Sequence, residues 1–419
     1  MRARSIVITS FLVAIVGCTG RADPSRIERP AAGEPDDVLT LGTPDGSVIV
    51  GSSSGTVLAS GEDQVAAPDG SRLYATARRG SSTVLEVRDS SSGALLSTTS
   101  LEGRLDARIA SLSGRTVALM RPLPEGVDPT IPLPRARTAI VVADPAGERA
   151  PRRYTLVGNF EPEAFSIDDT RLFLIQYLPA EAPSAYRVTV LDLGSGRVHP
   201  VFGRFDSPPE RMPGVRLAQV FDPTAEQLYT LYTNKPAEHF HEHWQDAADG
   251  DREVSFVHVL NLRQGWAYCA GLPRVLWGRP ASAQALAPSA DGRALYVVDS
   301  VRGFVAEMDT RTMTVTRTQR VPLGGRGRGR TSALVSPDGS TLYVGMGGAA
   351  VSRIDVDTLE VLNRWQLPAA VRGLASSEDG RRVFIALSDR VAVVDTGTGR
   401  TLSTLSFGPI ESILHVATP

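Results

Sequence analysis

Lysine is almost missing from this chain. Of 44 basic residues in 419, Lys235 is the only lysine and the rest are arginine. That bias reads as genome composition rather than as a binding device. The 46 acidic residues leave a formal net charge of −2. Nothing in that balance argues for nucleic acid, which needs a clustered basic face. Cysteine is scarce too, with only Cys18 and Cys269. Gly51-Ser52-Ser53-Ser54-Gly55 spells Gly-x-Ser-x-Gly, but it lies inside the strand-like stretch Ser47 to Ser60 and opens no helix, so it makes no nucleophile elbow. There is no phosphate-binding loop and no Cys-x-x-Cys zinc site. The corresponding hydrolase, nucleotide-binding and zinc-ribbon readings therefore have no support in the residues.

Long hydrophobic runs are also wanting. Ile6 to Val16 is apolar and follows Arg2 and Arg4, but it is too short to span a bilayer. It reads as the hydrophobic region of a signal peptide over residues 1–17. It ends in Ile15-Val16-Gly17-Cys18, which resembles the bacterial lipobox. The resemblance implies that Cys18 is lipidated and becomes the mature N-terminus. Residues 18–37 are polar, rich in Pro and Ala, and without periodicity, so they read as a flexible tether. With Cys18 in a thioether, Cys269 has no partner for an intramolecular disulfide. Cys269 lies in the aromatic Trp266-Ala267-Tyr268-Cys269 and reads as a packed, inert thiol.

Against these absences stand 39 glycines and 29 prolines, many of them in a recurring turn. Ser336-Pro337-Asp338-Gly339 is flanked by Ala333-Leu334-Val335 and Leu342-Tyr343-Val344. Pro presets φ, Asp bonds its own backbone, and Gly accepts positive φ, so the stretch predicts a hairpin. Val351 to Val356 and Val361 to Leu367 add two strands, giving four in about forty residues, the period of a propeller blade. The unit recurs after Ser289-Ala290-Asp291-Gly292, Ser377-Glu378-Asp379-Gly380 and Ala67-Pro68-Asp69-Gly70. Weaker copies begin near Ser113-Gly114, Asp168-Asp169 and Asp222-Pro223.

These seven copies, with their Leu-Tyr-Val, Val-x-x-Asp and Thr-Gly elements, resemble the YVTN-type β-propeller repeat of extracytoplasmic bacterial proteins. That family is related to the seven-bladed lactonase-like propellers. The resemblance covers about Asp63 to Phe407. It implies an all-β propeller of seven four-stranded blades over residues 38–419. Ser47 to Ser60 and Ile413-Leu414-His415-Val416 read as further strands, expected to close the ring from the two termini. The repeat specifies a fold and no particular function.

Insertions are the informative irregularity. Arg121 to Arg137, Pro179 to Ala185 and Asn234 to Glu253 fall between the second and third strands of blades two, three and four. Strands alternate direction, so these loops leave from the face that also carries the blade-to-blade connections. The Pro-Asp-Gly turns lie on the opposite face. Long loops on a rigid scaffold are where function usually sits. The expected recognition surface is therefore the loop-rich face of blades two to four. Phe240, Trp244 and Trp277 serve there as aromatic anchors, with Trp244 and His241 near the centre.

Two residue clusters could carry chemistry. His239, His241 and His243 alternate in Glu238-His239-Phe240-His241-Glu242-His243-Trp244, a spacing that can converge on a divalent transition metal. A solvated loop accounts for the same residues, and His258 on the next strand, a candidate further ligand, reads rather as a packed strand histidine. Arg326, Arg328 and Arg330, set among glycines, can fork onto an anionic ligand or stand in solvent. Asp309, Asp355 and Asp395 recur at third-strand ends and read as turn caps, because repetition argues for structure.

The leading expectation is a lipid-anchored binding or scaffolding propeller on the extracytoplasmic side of a bacterial membrane. Its partner would be a protein or small molecule, not nucleic acid. The alternative is a propeller enzyme, lactonase-like or metal-assisted, with its site in the central channel. Converging polar groups in that channel would favour the enzyme.

Overall fold

The computed structural model describes residues 36–44, 46–61, 64–124, 132–204, 212, 215–233, 255–277, 283–323 and 330–417. Strands dominate, and they form eight sheets. Seven of the sheets are the repeat copies, numbered here one to seven in chain order. Blade one runs from Gln64–Ala66 to Leu95–Glu102, blade two from Asp106–Ala110 to Arg152–Val157, and blade three from Asn159–Phe165 to Val198–Pro200. Blade four runs from Val215–Asp222 to Trp266–Gly271, and its outer edge gains Phe202–Gly203 in parallel. Blades five, six and seven run from Gln284–Pro288 to Thr314–Arg320, Thr331–Val335 to Val361–Gln366, and Gly373–Ser376 to Thr401–Ser406.

The eighth sheet corrects the expected count. Ser412–Ala417 pairs antiparallel with Val38–Thr43, which continues into Gly46–Gly51 and Val57–Gly61. The termini do close the ring, but they build a complete blade of their own. The fold is an eight-bladed propeller, not a seven-bladed one. The miscount has a physical source. In this blade the innermost strand comes from the C-terminus, so no turn joins it to the next strand. The turn signal that marks every other copy is therefore missing here.

The repeat chemistry explains each blade. In the turn after Val335, Gly339 sits at φ +75° and its N–H donates to the Ser336 carbonyl at 2.8 Å. The Asp338 carboxylate accepts from Ser340 N at 3.0 Å. Asp69, Asp291 and Asp379 accept from the residue two further on in the same way. Third-strand aspartates cap the other turns: Asp309 takes Thr312 N at 2.6 Å, Asp355 takes Thr358 N at 2.8 Å, and Asp395 takes Thr398 N at 2.7 Å. Those hydrogen bonds stabilise the charged form and hold all three carboxyls below the usual range.

Packing follows the strand period of two. Leu295 and Val297 enter the cluster shared with blade four, while Tyr296 and Val298 enter the one shared with blade six. A middle strand is thus apolar on both sides, which is why these strands read as unbroken hydrophobic runs. Outer strands such as Thr314–Arg320 alternate exposed and half-buried residues. An apolar cluster fills each of the eight blade interfaces. The thinnest is the seam between closing blade and blade one, whose fully buried members are Val38, Ile49 and Leu73.

Candidate functional site

The second-to-third-strand connections and the blade-to-blade connections leave the ring on one face, as the alternation of strands requires. Several residues singled out from sequence lie outside the described residues: Cys18, His239, Phe240, His241, His243, Trp244, Arg326 and Arg328. Trp277 is described. It follows the short 3-10 turn Arg274–Leu276, and its indole N–H donates to the Leu272 carbonyl at 2.6 Å. The Arg274 guanidinium lies 5.6 Å from its ring centroid. Arg330 is exposed at the entry to blade six. His258 is a buried strand residue, edge-on to Tyr232 at 6.2 Å. Burial pushes its imidazole down to about 4, so it is neutral at pH 7. Cys269 is half-buried with Sγ 3.5 Å from Met212 Sδ.

Where blades three and four meet the channel, charged groups do converge, but onto one another. Glu163, 6 % exposed, receives Arg216 Nη1 at 3.1 Å and Gln219 Nε2 at 2.6 Å. Gln219 Nε2 also reaches Thr230 Oγ1 at 3.1 Å. Glu161 pairs with Arg135 at 2.7 Å. Beneath them Tyr186 stacks on Tyr232 at 5.0 Å, and Tyr232 stacks on Phe256 at 5.4 Å. Desolvation first, and neighbouring charge second, push the phenols of Tyr177, Tyr186 and Tyr232 well above their ordinary value. The cluster consists of matched ion pairs, protonated phenols and a neutral imidazole. It cross-links blades three and four, and Arg135 ties it to blade two. A smaller cavity of about 210 Å³ beside it is mostly apolar, lined by residues such as Pro68, Phe165 and Phe221.

The larger opening lies between blades one and two. It measures about 1010 Å³ and opens on the loop-rich face. Arg78 reaches it from the end of Arg72–Arg79, Arg104 from the connection between the blades, and Arg121 from just beyond Val117–Met120. Arg135 and Arg137 enter at the start of Arg137–Ala143, and Arg153 enters from Arg152–Val157. Leu105, Met120 and Val141, all buried, form part of the wall. No acidic residue lines the opening among the described residues. Guanidinium groups keep their protons, so this site offers fixed positive charge and hydrogen-bond donors rather than a base.

Sequence reading did not find this site. Three of its arginines, Arg121, Arg135 and Arg137, stand at the two ends of the blade-two insertion, and that was the available signal. Arg78, Arg104 and Arg153 look like ordinary surface residues until the ring brings blade one against blade two.

No family model matches the chain, and no curated protein matches it. Solved structures do. The dihydro-heme d1 dehydrogenase NirN, solved in complex with DHE, superposes with a TM-score of 0.55 at 15 % identity, covering 94 % of this chain and 77 % of that one. Apo AztD from Citrobacter koseri superposes with a TM-score of 0.54 at 13 % identity, covering 92 % of this chain and 99 % of that one. The likeness is one of fold. At such identities nothing of either protein's ligand or chemistry carries across.

Proposed function

We propose that this chain is a lipid-anchored, extracytoplasmic propeller of the YVTN repeat type. It binds or scaffolds an envelope component through its loop-rich face and performs no chemistry of its own. The observation that carries the reading is the contrast between two polar assemblies. At the channel, Glu161, Glu163, Arg135, Arg216 and Gln219 satisfy one another. On the loop-rich face, a large cavity is lined by five further arginines that have no acidic partner among the described residues. Groups that are already matched hold a fold together, whereas an open pocket with convergent polar groups is the usual place for a ligand. The anchor rests on Gly17-Cys18 after the apolar Ile6 to Val16.

Two variants test this reading. Cys18→Ala should leave the membrane fraction or remain unprocessed. Replacing residues 234–253 by a short Gly-Ser turn should leave the melting temperature unchanged and abolish capture of the native envelope component. A Cys18→Ala protein that matures and stays membrane-bound refutes the anchor. A shortened protein that still captures what the intact one captures refutes the contribution of blade four.

A further inference from the structure

We infer that the groove between blades one and two binds a small amphipathic polyanion, an apolar frame bearing two or more carboxylate or phosphate groups. The inference rests on the loop-rich face being the recognition surface and names the chemistry it would recognise there.

The first argument is charge left over. Elsewhere in the ring several arginines have acidic partners: Arg88 with Glu86, Arg317 with Glu307, Arg263 with Glu226, Arg382 with Asp37. In the groove, Arg135 alone has an acidic partner among the described residues, Glu161 at 2.7 Å. Arg153 gives one hydrogen bond to the Glu102 carbonyl at 3.1 Å. The guanidinium groups of Arg78, Arg104, Arg121 and Arg137 meet no acceptor among the described residues. The chain does not lack acids, since it has 46 for 44 bases. Among the described residues no acid lines the groove, and six arginines there concentrate positive potential where an anion would relieve it.

The second argument is rigidity. The six arginines come from five backbone segments, Arg135 and Arg137 sharing one, and most of these are paired strands or their ends. Val141 stands opposite Arg153 in the register of blade two, and Arg78 stands opposite Thr83 in blade one. A ligand would meet a preorganised array rather than order a loop, and preorganisation cuts the entropic cost of binding.

The third argument is the wall. Leu105, Met120 and Val141 belong to the groove and are 5 %, 4 % and 3 % exposed. Leu123 and Leu133 add apolar surface on the blade-two connection. An inorganic anion would leave the half-buried Leu123 and Leu133 facing water and most of the roughly 1010 Å³ empty. A ligand with an apolar body fills that space while its oxyanions meet the guanidinium forks two bonds at a time.

The test is a titration of the detergent-solubilised full chain with three probes. Pyrenetetracarboxylate joins an apolar plate to carboxylates, farnesyl diphosphate joins an apolar chain to phosphates, and inorganic pyrophosphate has no apolar part. At least one amphipathic probe should bind about tenfold or more tightly than pyrophosphate, and the better one identifies the oxyanion. Arg121→Gln/Arg137→Gln should weaken that binding about a hundredfold, about tenfold for each charged contact removed. Arg293→Gln/Arg381→Gln, on the turn face, should leave it unchanged. All of these side chains are exposed, so the variants should melt with wild type. Pyrophosphate binding as tightly as both amphipathic probes would overturn the inference. So would a groove variant that binds like wild type, or a turn-face variant that weakens binding as much. The loop-face reading is tested separately by the 234–253 replacement, which changes none of the lining residues named for the groove.

Discussion

Asp37 and Arg382 clamp the closing blade to blade seven, and removing one of them should weaken the closure of the ring. Asp37 is fully buried just before Val38–Thr43, and Arg382 begins Arg382–Ala386. Their side chains meet at 2.9 Å, with Arg382 13 % exposed. Around them Leu39 and Leu41 pack against Phe384 and Val393. Arg382→Met keeps the volume and deletes the cation, leaving a carboxylate with little water around it. Breaking a buried pair in this way costs about 3–5 kcal/mol, whereas exchanging both partners for apolar groups is close to neutral. The structure therefore predicts a loss of that size for Arg382→Met and recovery of most of it in Asp37→Leu/Arg382→Met. Urea unfolding read by tryptophan fluorescence measures both, from the midpoint and slope. A single variant within about 0.5 kcal/mol of wild type, or a double variant as weak as the single, would refute the reasoning.

His258 should make the ring acid-sensitive. Its folded pKa of about 4 lies below the unfolded value of 6.5, so the unfolded chain takes up the proton first. Stability is complete above pH 6.5 and falls by about 3 kcal/mol as the pH drops to 4, a loss His258→Gln should remove. Unfolding free energies at both pH values check this, and equal slopes for the two proteins would contradict it. Deleting residues 408–419 removes the innermost strand of the closing blade and should collapse the whole ring, seen as loss of the cooperative melt; an unchanged melt would show that closure lies elsewhere. Gly70 sits at φ +70°, and a Cβ there would lie 2.0 Å from the His415 ring of the closing strand. Gly70→Ala should therefore lower the melting temperature, while Gly80→Ala, at φ +62° with open space around it, should cost only the backbone strain. Equal shifts for the two would show that the contact with His415 is not tight.

Much of the fold was legible because the repeat states its own local physics. The Leu-Tyr-Val strand at Leu342 to Val344 falls inside Thr341–Met346, the turn Ser336 to Gly339 stands just before it, and Val361 to Leu367 matches Val361–Gln366 within a residue. The eighth blade was hidden because its strands come from opposite ends of the chain. Pro44-Asp45-Gly46 between Val38–Thr43 and Gly46–Gly51 was a usable sign of it, though it joins the second strand to the third rather than the first to the second. The packed reading of His258 needed only strand alternation, and the turn-capping reading of Asp309, Asp355 and Asp395 needed only their repetition. The arginine groove was illegible for the opposite reason. Its members span Arg78 to Arg153 and repeat in no register, and only the ring brings them together.

The central claim is that the loop-rich face is occupied in the envelope, at the arginine groove. Arginine-selective dicarbonyl modification, quantified by mass spectrometry, reads this without knowing the ligand. Native envelopes are compared with the purified protein in detergent. Arg293 and Arg381 serve as turn-face references because they are 87 % and 78 % exposed. The account predicts that Arg104, Arg121 and Arg137 are protected in envelopes relative to the purified chain, while Arg293 and Arg381 react alike in both. Equal reactivity of the groove arginines in the two preparations, or protection confined to the turn face, would contradict it.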